Sequence, residues 1–186
     1  MIRRINWTAR TFDHELPVGL FPVVLERLRG TPMRAADLLT SAAEPRRRQH
    51  AAGSWSAQEH VGHLDDLHEL DMRRLDDYLS GASQLTAADM SNRATNEANH
   101  NATPTHVLLE RLCTRRAELI RRLERVTDLD AARSALHPRL RRPLRLVDWM
   151  FFVAEHDDHH LTSARECLRA VADVNPEPAA SPGVTR

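Results

Sequence analysis

The stretch LRLVDWMFFVAEHDDHHLTSARECLRAV, residues 144–171, decides the fold class. Its apolar residues recur every three or four positions, which predicts one long amphipathic helix. With His156 taken as zero and a turn of about 100° per residue, Trp149 lies at about 20° and His160 at about 40°. Both histidines therefore fall within the apolar stripe of the helix, and we expect them to face the protein interior.

The spacing of these two histidines indicates a metal ion. Neutral imidazoles that are buried side by side need partners for their ring nitrogens. A pair at positions i and i+4 of a helix can direct both nitrogens at one cation, as in the helix of zinc proteases. The alternative is that each ring hydrogen bonds to a neighbouring helix or to water. Because the chain offers further histidines, we favour the metal site.

A third ligand is available in an earlier segment, EHVGHLDDLHEL, at residues 59–70. With His63 at zero, the apolar residues Leu67 and Leu70 lie within about 40° of it, so His63 is expected on the buried face. His60, at about 60°, is the other candidate. Three histidines from two helices would leave coordination positions open to water or substrate, which is typical of catalytic rather than structural metals.

The second helix has clear signals at both ends. Ser56, followed three residues later by Glu59, is the capping-box pattern, and we expect the helix to begin there. It runs to about Leu79, where Ser80 and Gly81 close it.

Two other segments complete a set of four helices. The first is LPVGLFPVVLERLRG at residues 16–30, which is interrupted at Gly30 before a further helical stretch. The third helix begins near Pro104, with Thr103 as its cap, and continues to about Leu129. Few runs alternate between apolar and polar residues as strands do. Four long amphipathic helices predict an all-α helical bundle.

A long connection, ASQLTAADMSNRATNEANHNAT at residues 82–103, joins the second and third helices. Connections of this length in a compact domain are usually functional or disordered. Asparagine suits turns and also ligand contacts. We expect the segment to cover a site, with a plain connection as the alternative. The candidate substrate-binding residues are Asn92, Arg93, Asn96 and Asn99.

The chain length of 186 residues predicts one domain, which we place at residues 1–172. Residues 173–186 are rich in proline, alanine and serine, and we expect them to form a disordered tail.

The composition excludes several classes of function. Basic and acidic residues number 26 each, so the formal net charge is zero and electrostatic capture of nucleic acid or membrane is not expected. The chain has no lysine, which excludes a Schiff base and a lysine phosphate loop. No apolar run reaches secretory or membrane-spanning length. Cys113 and Cys167 are predicted to be small buried hydrophobes. We expect a cytoplasmic protein.

Three segments taken together resemble the DinB-like superfamily, named for a DNA-damage-inducible protein. They are WSAQEHVGHLDDL, MSNRATNEANHN and LVDWMFFVAEHDDHHL, and they occur in the family's order along most of the chain. The resemblance implies an antiparallel four-helix bundle with a long connection between helices 2 and 3, which often forms homodimers. It also implies a metal triad of one histidine on the second helix and the His-x-x-x-His pair on the last.

Carried over by motif, that triad becomes His63, His156 and His160, so the resemblance favours His63 over His60. Family members bind zinc, nickel or other divalent ions. Those with assigned chemistry use low-molecular-weight thiols, as in mycothiol-dependent maleylpyruvate isomerase and bacillithiol S-transferases. The isomerase-type relatives have a further C-terminal domain where this chain has a short tail, so the compact members are the better guides.

The sequence thus predicts a metal- and thiol-dependent S-transferase that acts on small electrophiles. The first alternative is a metal-dependent hydrolase, for which Glu59, Asp66, His60 and His159 are candidate bases or supporting groups around the ion. The second is a non-catalytic, stress-related metal-binding module. A di-iron oxidase is disfavoured because its Glu-x-x-His pattern occurs once, at Glu97 in the connection.

Overall fold

The structure is a computed structural model that describes residues 4–50 and 54–174. In chain order its helices and strands are α1 Phe21–Arg29, α2 Thr31–Thr40, α3 Glu44–Arg48, α4 Ala57–Asp66, α5 His68–Ser80, α6 Arg93–Glu97, α7 Thr105–Leu123, α8 Asp128–Ala131, β1 Ser134–His137, β2 Arg142–Arg145 and α9 Leu146–Val174.

Four long rods build the bundle, which confirms the predicted fold class. The first rod is α1 with α2, which Gly30 separates as predicted, although Gly30 keeps helical backbone angles (φ −76°, ψ −13°). The second rod is α4 with α5, joined through Leu67 in a helical conformation. The third and fourth rods are α7 and α9. Helix α9 packs against α1, α2 and α4, and α7 packs against the same three.

The ends of the second rod match the sequence prediction. The Ser56 hydroxyl accepts from the backbone N–H of Glu59, while the Glu59 carboxylate accepts from the N–H of Ser56, so the capping box is present. At the other end Gly81 has φ 75°, a left-handed conformation that glycine adopts without strain.

The prediction for the third helix was right about its start near Pro104, but wrong about its cap and its end. Thr103 does not cap it, because the residue before α7 is Pro104 and no side chain caps the helix. The helix ends at Leu123 rather than near Leu129. Thr127 and Asp130 form a second capping box that starts the separate short helix α8. A local hydrogen-bonded cap thus overrides the helical periodicity beyond Leu123.

A small hairpin was not predicted. Strands β1 and β2 pair antiparallel with Ala135 opposite Leu144, and both of these side chains are buried. The Tyr78 hydroxyl donates to the Leu144 carbonyl oxygen over 3.1 Å, which ties the hairpin to α5. Four-residue strands are too short to show a clear alternating pattern, so they could not be predicted from the sequence. The hairpin matters because it carries His137 to the cavity described below.

Two apolar clusters fill the bundle, and a polar layer separates them. One cluster is formed by residues such as Leu28, Leu75, Leu119, Ile120, Leu123, Trp149 and Val153. The other contains Leu38, Leu39, Val61, Leu64, Leu108, Leu112, Leu161 and Ala164. Each rod places buried polar side chains between these two clusters, namely Thr31, His63, Asp71, Arg116, Asp157 and His160.

In the part of the chain that the structure describes, no helix is both long and apolar enough to cross a membrane. The predicted tail begins within the end of α9, which extends to Val174. The rest of the predicted tail, residues 175–186, lies outside the described residues.

Candidate metal centre

The three predicted ligands come together in the polar layer. His63 on α4 and the pair His156 and His160 on α9 each offer one ring nitrogen, and these nitrogens all lie within 4.8 Å of one another. The Nε2 atoms of His156 and His160 are 3.1 Å apart. Nitrogens of zinc-bound histidines lie about 2.0–2.1 Å from the ion, so a separation of this size suits two ligands of one cation.

Hydrogen bonds on the far side of two rings leave their inner nitrogens free for a ligand. The Nδ1 atom of His63 lies 2.9 Å from the hydroxyl of Thr95. The Nδ1 atom of His160 lies 3.1 Å from Nδ1 of His60. A neutral imidazole that donates through Nδ1 has its lone pair on Nε2. In the tautomers that donate from Nδ1, His63 and His160 both present an unprotonated Nε2 to the centre of the cluster.

The surroundings keep these imidazoles neutral, which is the form that binds metals. Burial is the main cause that lowers the pKa of His63, to about 4. Burial and then the neighbouring histidines hold the pKa values of His156 and His160 well below their usual range. The residues present therefore fit a divalent ion in donor type, in protonation state and in convergence. Imidazole suits zinc, nickel, copper and iron, so the donor set does not select among them.

A chain of polar groups stands behind His63. The hydroxyl of Thr95, on α6, contacts Nδ1 of His63 and also hydrogen bonds to the Asp66 carboxylate. The Nε2 atom of His100 lies 2.8 Å from Asp66 Oδ2. Burial opposes ionisation of Asp66, but the hydrogen bonds from His100 and Thr95 hold its pKa below the usual range. The long connection thus fixes the tautomer and the orientation of His63 through Thr95, as partners of metal-bound histidines do.

Gly62 makes room for this arrangement. A Cβ atom at position 62 would lie 2.3 Å from the ring of His100, closer than any packed structure tolerates. His100 is 1% exposed, and its carbonyl oxygen accepts from Nε2 of Gln58 over 2.6 Å. The imidazole of His100 therefore packs directly on the backbone of α4, one residue before the ligand His63.

Two indole rings enclose the histidines. Trp55 stacks on His160 at 6.0 Å between ring centroids and lies 5.0 Å from His63. Trp7 meets the edge of His156 at 5.1 Å. Both indoles are half-buried. They limit the access of water to the ring nitrogens from two sides.

The four predicted bases or supporting groups all have partners of their own. Glu59 is held in the capping box, and Asp66 pairs with His100. His60 contacts the outer nitrogen of the ligand His160. His159 lies on the flank of α9, where its Nδ1 atom is 3.0 Å from a guanidinium nitrogen of Arg4.

The predicted residues of the connection have different locations. Asn92 lines the cavity beside the histidines. The Asn96 side-chain oxygen accepts from the indole N–H of Trp55 over 3.1 Å, so Asn96 supports the covering ring. Arg93 and Asn99 are exposed. Sequence reasoning missed Thr95, although it is the residue of the connection that contacts a ligand. Its place between four asparagines gave no signal that a threonine was the important side chain.

A cavity opens from the metal centre along the bundle. His63 and His156 form part of its lining, and Asp71, Arg74 and His137 extend it away from them. Asp71, Arg74 and His137 were not among the residues predicted from the sequence. Asp71 could have been found as a charged residue about 80° from His63 on the same helix, near the buried face. His137 could not, because it reaches the cavity through the unpredicted hairpin.

The cysteine prediction was half right. Cys167 is buried, and its thiol contacts the backbone oxygen of Gln49 at 3.6 Å. Cys113 is exposed, so it is not the buried hydrophobe that was predicted. Neither thiol is among the residues that line the cavity.

Comparisons with known proteins support the family resemblance. A model of the DinB superfamily matches residues 25–164. Among solved structures, YfiT from Bacillus subtilis, described as a probable metal-dependent hydrolase with an unusual four-helix bundle topology, superposes with a TM-score of 0.74. It is 18% identical, over 86% of this chain and 92% of YfiT.

The mycothiol-dependent maleylpyruvate isomerase superposes with a TM-score of 0.63 at 12% identity. The match covers 82% of this chain but 62% of the isomerase. A search of curated proteins by sequence finds no significant match. At these identities the two structures establish the fold alone.

Proposed function

This chain belongs to the DinB superfamily, and on that basis we propose that it is a metal-dependent enzyme that transfers a low-molecular-weight thiol to a small electrophile. The observation that carries the proposal is the convergence of three neutral imidazoles, two of which line a cavity. A divalent ion bound there would lower the pKa of a thiol and hold it as the thiolate at neutral pH. Zinc and nickel are the ions we favour.

The protein's own residues bind, orient and shield the reactants. His63, His156 and His160 hold the ion, with Thr95 and His60 fixing two of the rings. In the reaction the thiol loses its proton, its sulfur forms a bond to an electrophilic carbon, and the leaving group departs with the electron pair of its broken bond. Trp7 and Trp55 reduce competition from water by covering the site.

The contacts of the candidate general bases favour a thiol over water as the nucleophile. A hydrolase needs a general base within hydrogen-bond reach of the attacking water. Glu59, Asp66 and His159 are instead engaged with the cap, with His100 and with Arg4. A thiol is far more acidic than water and needs no protein base once it meets a cation. The description of YfiT as a probable metal-dependent hydrolase keeps hydrolysis as the second candidate.

The test begins with metal content. Untagged protein, His160→Ala and the control His106→Ala, which changes an exposed histidine, are analysed by elemental mass spectrometry after exposure to zinc or nickel. We expect close to one ion per chain in the wild type and in His106→Ala, and much less in His160→Ala. A wild type that stays free of metal would remove the basis for both enzymatic proposals and favour a non-catalytic module.

Activity is then measured on the metal-loaded protein. Mycothiol, bacillithiol, glutathione and cysteine are each combined with monobromobimane and with 1-chloro-2,4-dinitrobenzene, and thioether formation is followed. We expect a rate above background with at least one thiol, and loss of that rate in His160→Ala but not in His106→Ala. Hydrolysis of p-nitrophenyl acetate without thiol, combined with no thioether formation, would replace the transferase proposal with the hydrolase.

A further inference from the structure

The cavity beside the metal centre has a second polar end. Its wall on the second rod is formed by Leu67, Leu70, Asp71 and Arg74. The opposite wall is formed by α9, from Trp149 through Phe152 and Val153 to His156. Its free volume is about 110 Å³. One water needs roughly 10–15 Å³, so the cavity has room for a small organic molecule.

Asp71 and Arg74 are the buried charged residues of this end, whose lining also includes His137 and the exposed residues Asp89 and Arg139. Asp71 and Arg74 are 6% and 5% exposed, so both are more than nine-tenths buried. The Arg74 Nε–H donates to the backbone oxygen of Thr86 over 2.9 Å, which fixes the guanidinium. Within residues 4–50 and 54–174 the structure shows no hydrogen bond to the Asp71 carboxylate and no ion pair between Asp71 and Arg74.

Buried charges without direct partners are costly, and proteins normally satisfy them. Nε1 of Trp149 and Nε2 of His137 are sealed from solvent and have no hydrogen-bond partner. The polar atoms of Asp71 and Arg74 are not sealed in this way. The carboxylate and the outer guanidinium nitrogens therefore remain accessible, and both residues line the cavity. A ligand in the cavity can reach them.

The distance from the metal centre defines the role of this pair. Asp71 follows His63 by eight positions, which corresponds to roughly 12 Å along a helix axis. Apolar side chains, Leu67, Leu70 and Val153, line the cavity between the two ends. Asp71 thus lies about two helical turns from His63 along the second rod, where it is placed to contact the other end of a bound molecule.

We propose that Asp71 and Arg74 form a recognition site for a neutral amide group at the end of the substrate that is remote from the metal. The carboxylate accepts from an amide N–H, and the guanidinium donates to the amide oxygen. One acid and one arginine side by side match a group that has both a donor and an acceptor and no net charge. The proposal rests on the metal site of the proposed function and adds the substrate class to it: a short molecule with a metal-binding head, an apolar spacer and an amide.

The protonation of Asp71 agrees with this role. Burial raises the pKa of its carboxyl to about 7, while Arg116 and Arg74 lower it and Asp157 raises it further. Near neutral pH the carboxyl is therefore present in both its neutral and its ionised form, and each form has an oxygen that accepts from an amide N–H.

The experiment uses hydroxamates, which bind zinc through a common head and do not depend on thiol chemistry. Three probes of equal length are titrated into zinc-loaded protein by calorimetry: succinamic, levulinic and pentanoic hydroxamic acids, with an amide, a ketone and an alkyl end. We expect the amide to bind about tenfold more tightly than the alkyl probe, with the ketone between them. Equal affinities for the three, or tighter binding of the carboxylate analogue succinic monohydroxamic acid, would overturn the proposal.

Variants of Asp71 and Arg74 test whether these residues cause the preference for the amide probe. In Asp71→Leu and Arg74→Met the preference for the amide should disappear, while the affinity for the alkyl probe stays within about twofold. Asp76→Asn is the matched control, because Asp76 is on the same helix and pairs with the exposed Arg122. A preference that survives in Asp71→Leu contradicts the assignment. Circular dichroism confirms that each variant is folded before titration.

A metal-free measurement separates this proposal from the proposed function. Butyramide and pentan-2-one are added to metal-free protein, and the Arg74 Nε–H resonance, assigned with Arg74→Lys, is followed by nuclear magnetic resonance. A shift with butyramide that is larger than the shift with the ketone supports the recognition site even if no thiol is ever transferred. Equal shifts, or none, count against the site whatever the outcome of the thiol assays.

Discussion

Helix α9 carries two buried polar clusters at the same level of the bundle, and they differ in whether their members satisfy one another. On one side Asp157 accepts from Arg116 and from the Thr31 hydroxyl, at 3.1 and 2.7 Å. On the other side His156 and His160 turn their Nε2 atoms toward each other at 3.1 Å. We call the first cluster closed because a cation and a hydroxyl from two other helices satisfy both oxygens of the Asp157 carboxylate, although Nη1 of Arg116 has no hydrogen-bond partner.

The histidine cluster is open by the same criterion. Two neutral imidazoles facing each other through Nε2 share at most one proton, and His63 adds a third inward nitrogen. The closed cluster contributes to the specificity of the fold, since its members come from three rods. The open cluster thus offers three inward nitrogens to a ligand. Burial alone would not distinguish the two, since both consist of buried polar residues.

The largest effect is expected from breaking the closed cluster. Arg116→Met leaves Asp157 buried without its cation, and we expect the free energy of unfolding to fall by about 3–5 kcal/mol. Zinc binding by the fraction that stays folded should not change. Urea unfolding followed by circular dichroism measures the loss. Arg122→Met, at an exposed ion pair, is the control. Full stability in Arg116→Met would show that the two clusters do not differ in this way.

Removing a member of the open cluster should have the opposite profile. His160→Ala is expected to weaken zinc binding by at least about a hundredfold, since a structural zinc site is worth roughly 10–16 kcal/mol over about four ligands. The stability of the metal-free protein should change much less than in Arg116→Met. Competition with a chelator gives the affinity, and His106→Ala is the control. Comparable zinc affinity in His160→Ala and His106→Ala would mean that His160 is not a ligand.

Thr95 tests whether the open cluster extends into the long connection. Thr95→Val keeps the shape but removes the hydroxyl that holds Nδ1 of His63, and we expect zinc affinity to fall about 10–100-fold. Thr162→Val, an exposed change on α9, should leave the affinity unchanged. An unaffected Thr95→Val would place the connection outside the metal centre.

As the pH falls, the two clusters should change the stability of the protein in opposite directions. A histidine in an unfolded chain has a pKa near 6.5. The pKa values of the clustered histidines are lower, and that of His63 is about 4. The unfolded state therefore binds more protons, and metal-free protein should lose stability as the pH falls from about 6.5 to about 4. Each such histidine contributes at most about 1.4 kcal/mol per pH unit.

The closed cluster does not add to this loss. Burial raises the pKa of Asp157, although Arg116 opposes it, so protonation of Asp157 favours the folded state as the pH falls. The free energy of unfolding is measured by urea unfolding between pH 7 and pH 4.5. It should fall less steeply with decreasing pH in His63→Gln than in the wild type. The same slope in both would mean that His63 is not a source of the acid sensitivity.

The sequence predicted the parts of the molecule that depend on local spacing. Periodicity and the family motif gave the bundle and the three histidines, and the Ser56 cap followed from a four-residue pattern. What was missed depends on contacts between distant segments. His137 is brought in by a hairpin, and Thr95 acquires its role only when the connection folds onto α4. Arg116 and Thr31 interrupt apolar stripes, a signal that was present but not used.

The fit of His100 against Gly62 has a consequence for how the metal centre assembles. Because the ring of His100 packs on bare backbone with no space for a methyl group, we expect the connection to dock on α4 in this one register. Docking in that register brings Thr95 to His63 at the same moment. Ordering of the connection and orientation of the ligand are thus one event, and metal-free protein should show the amide hydrogens of residues 95 and 100–103 exchanging together rather than one by one.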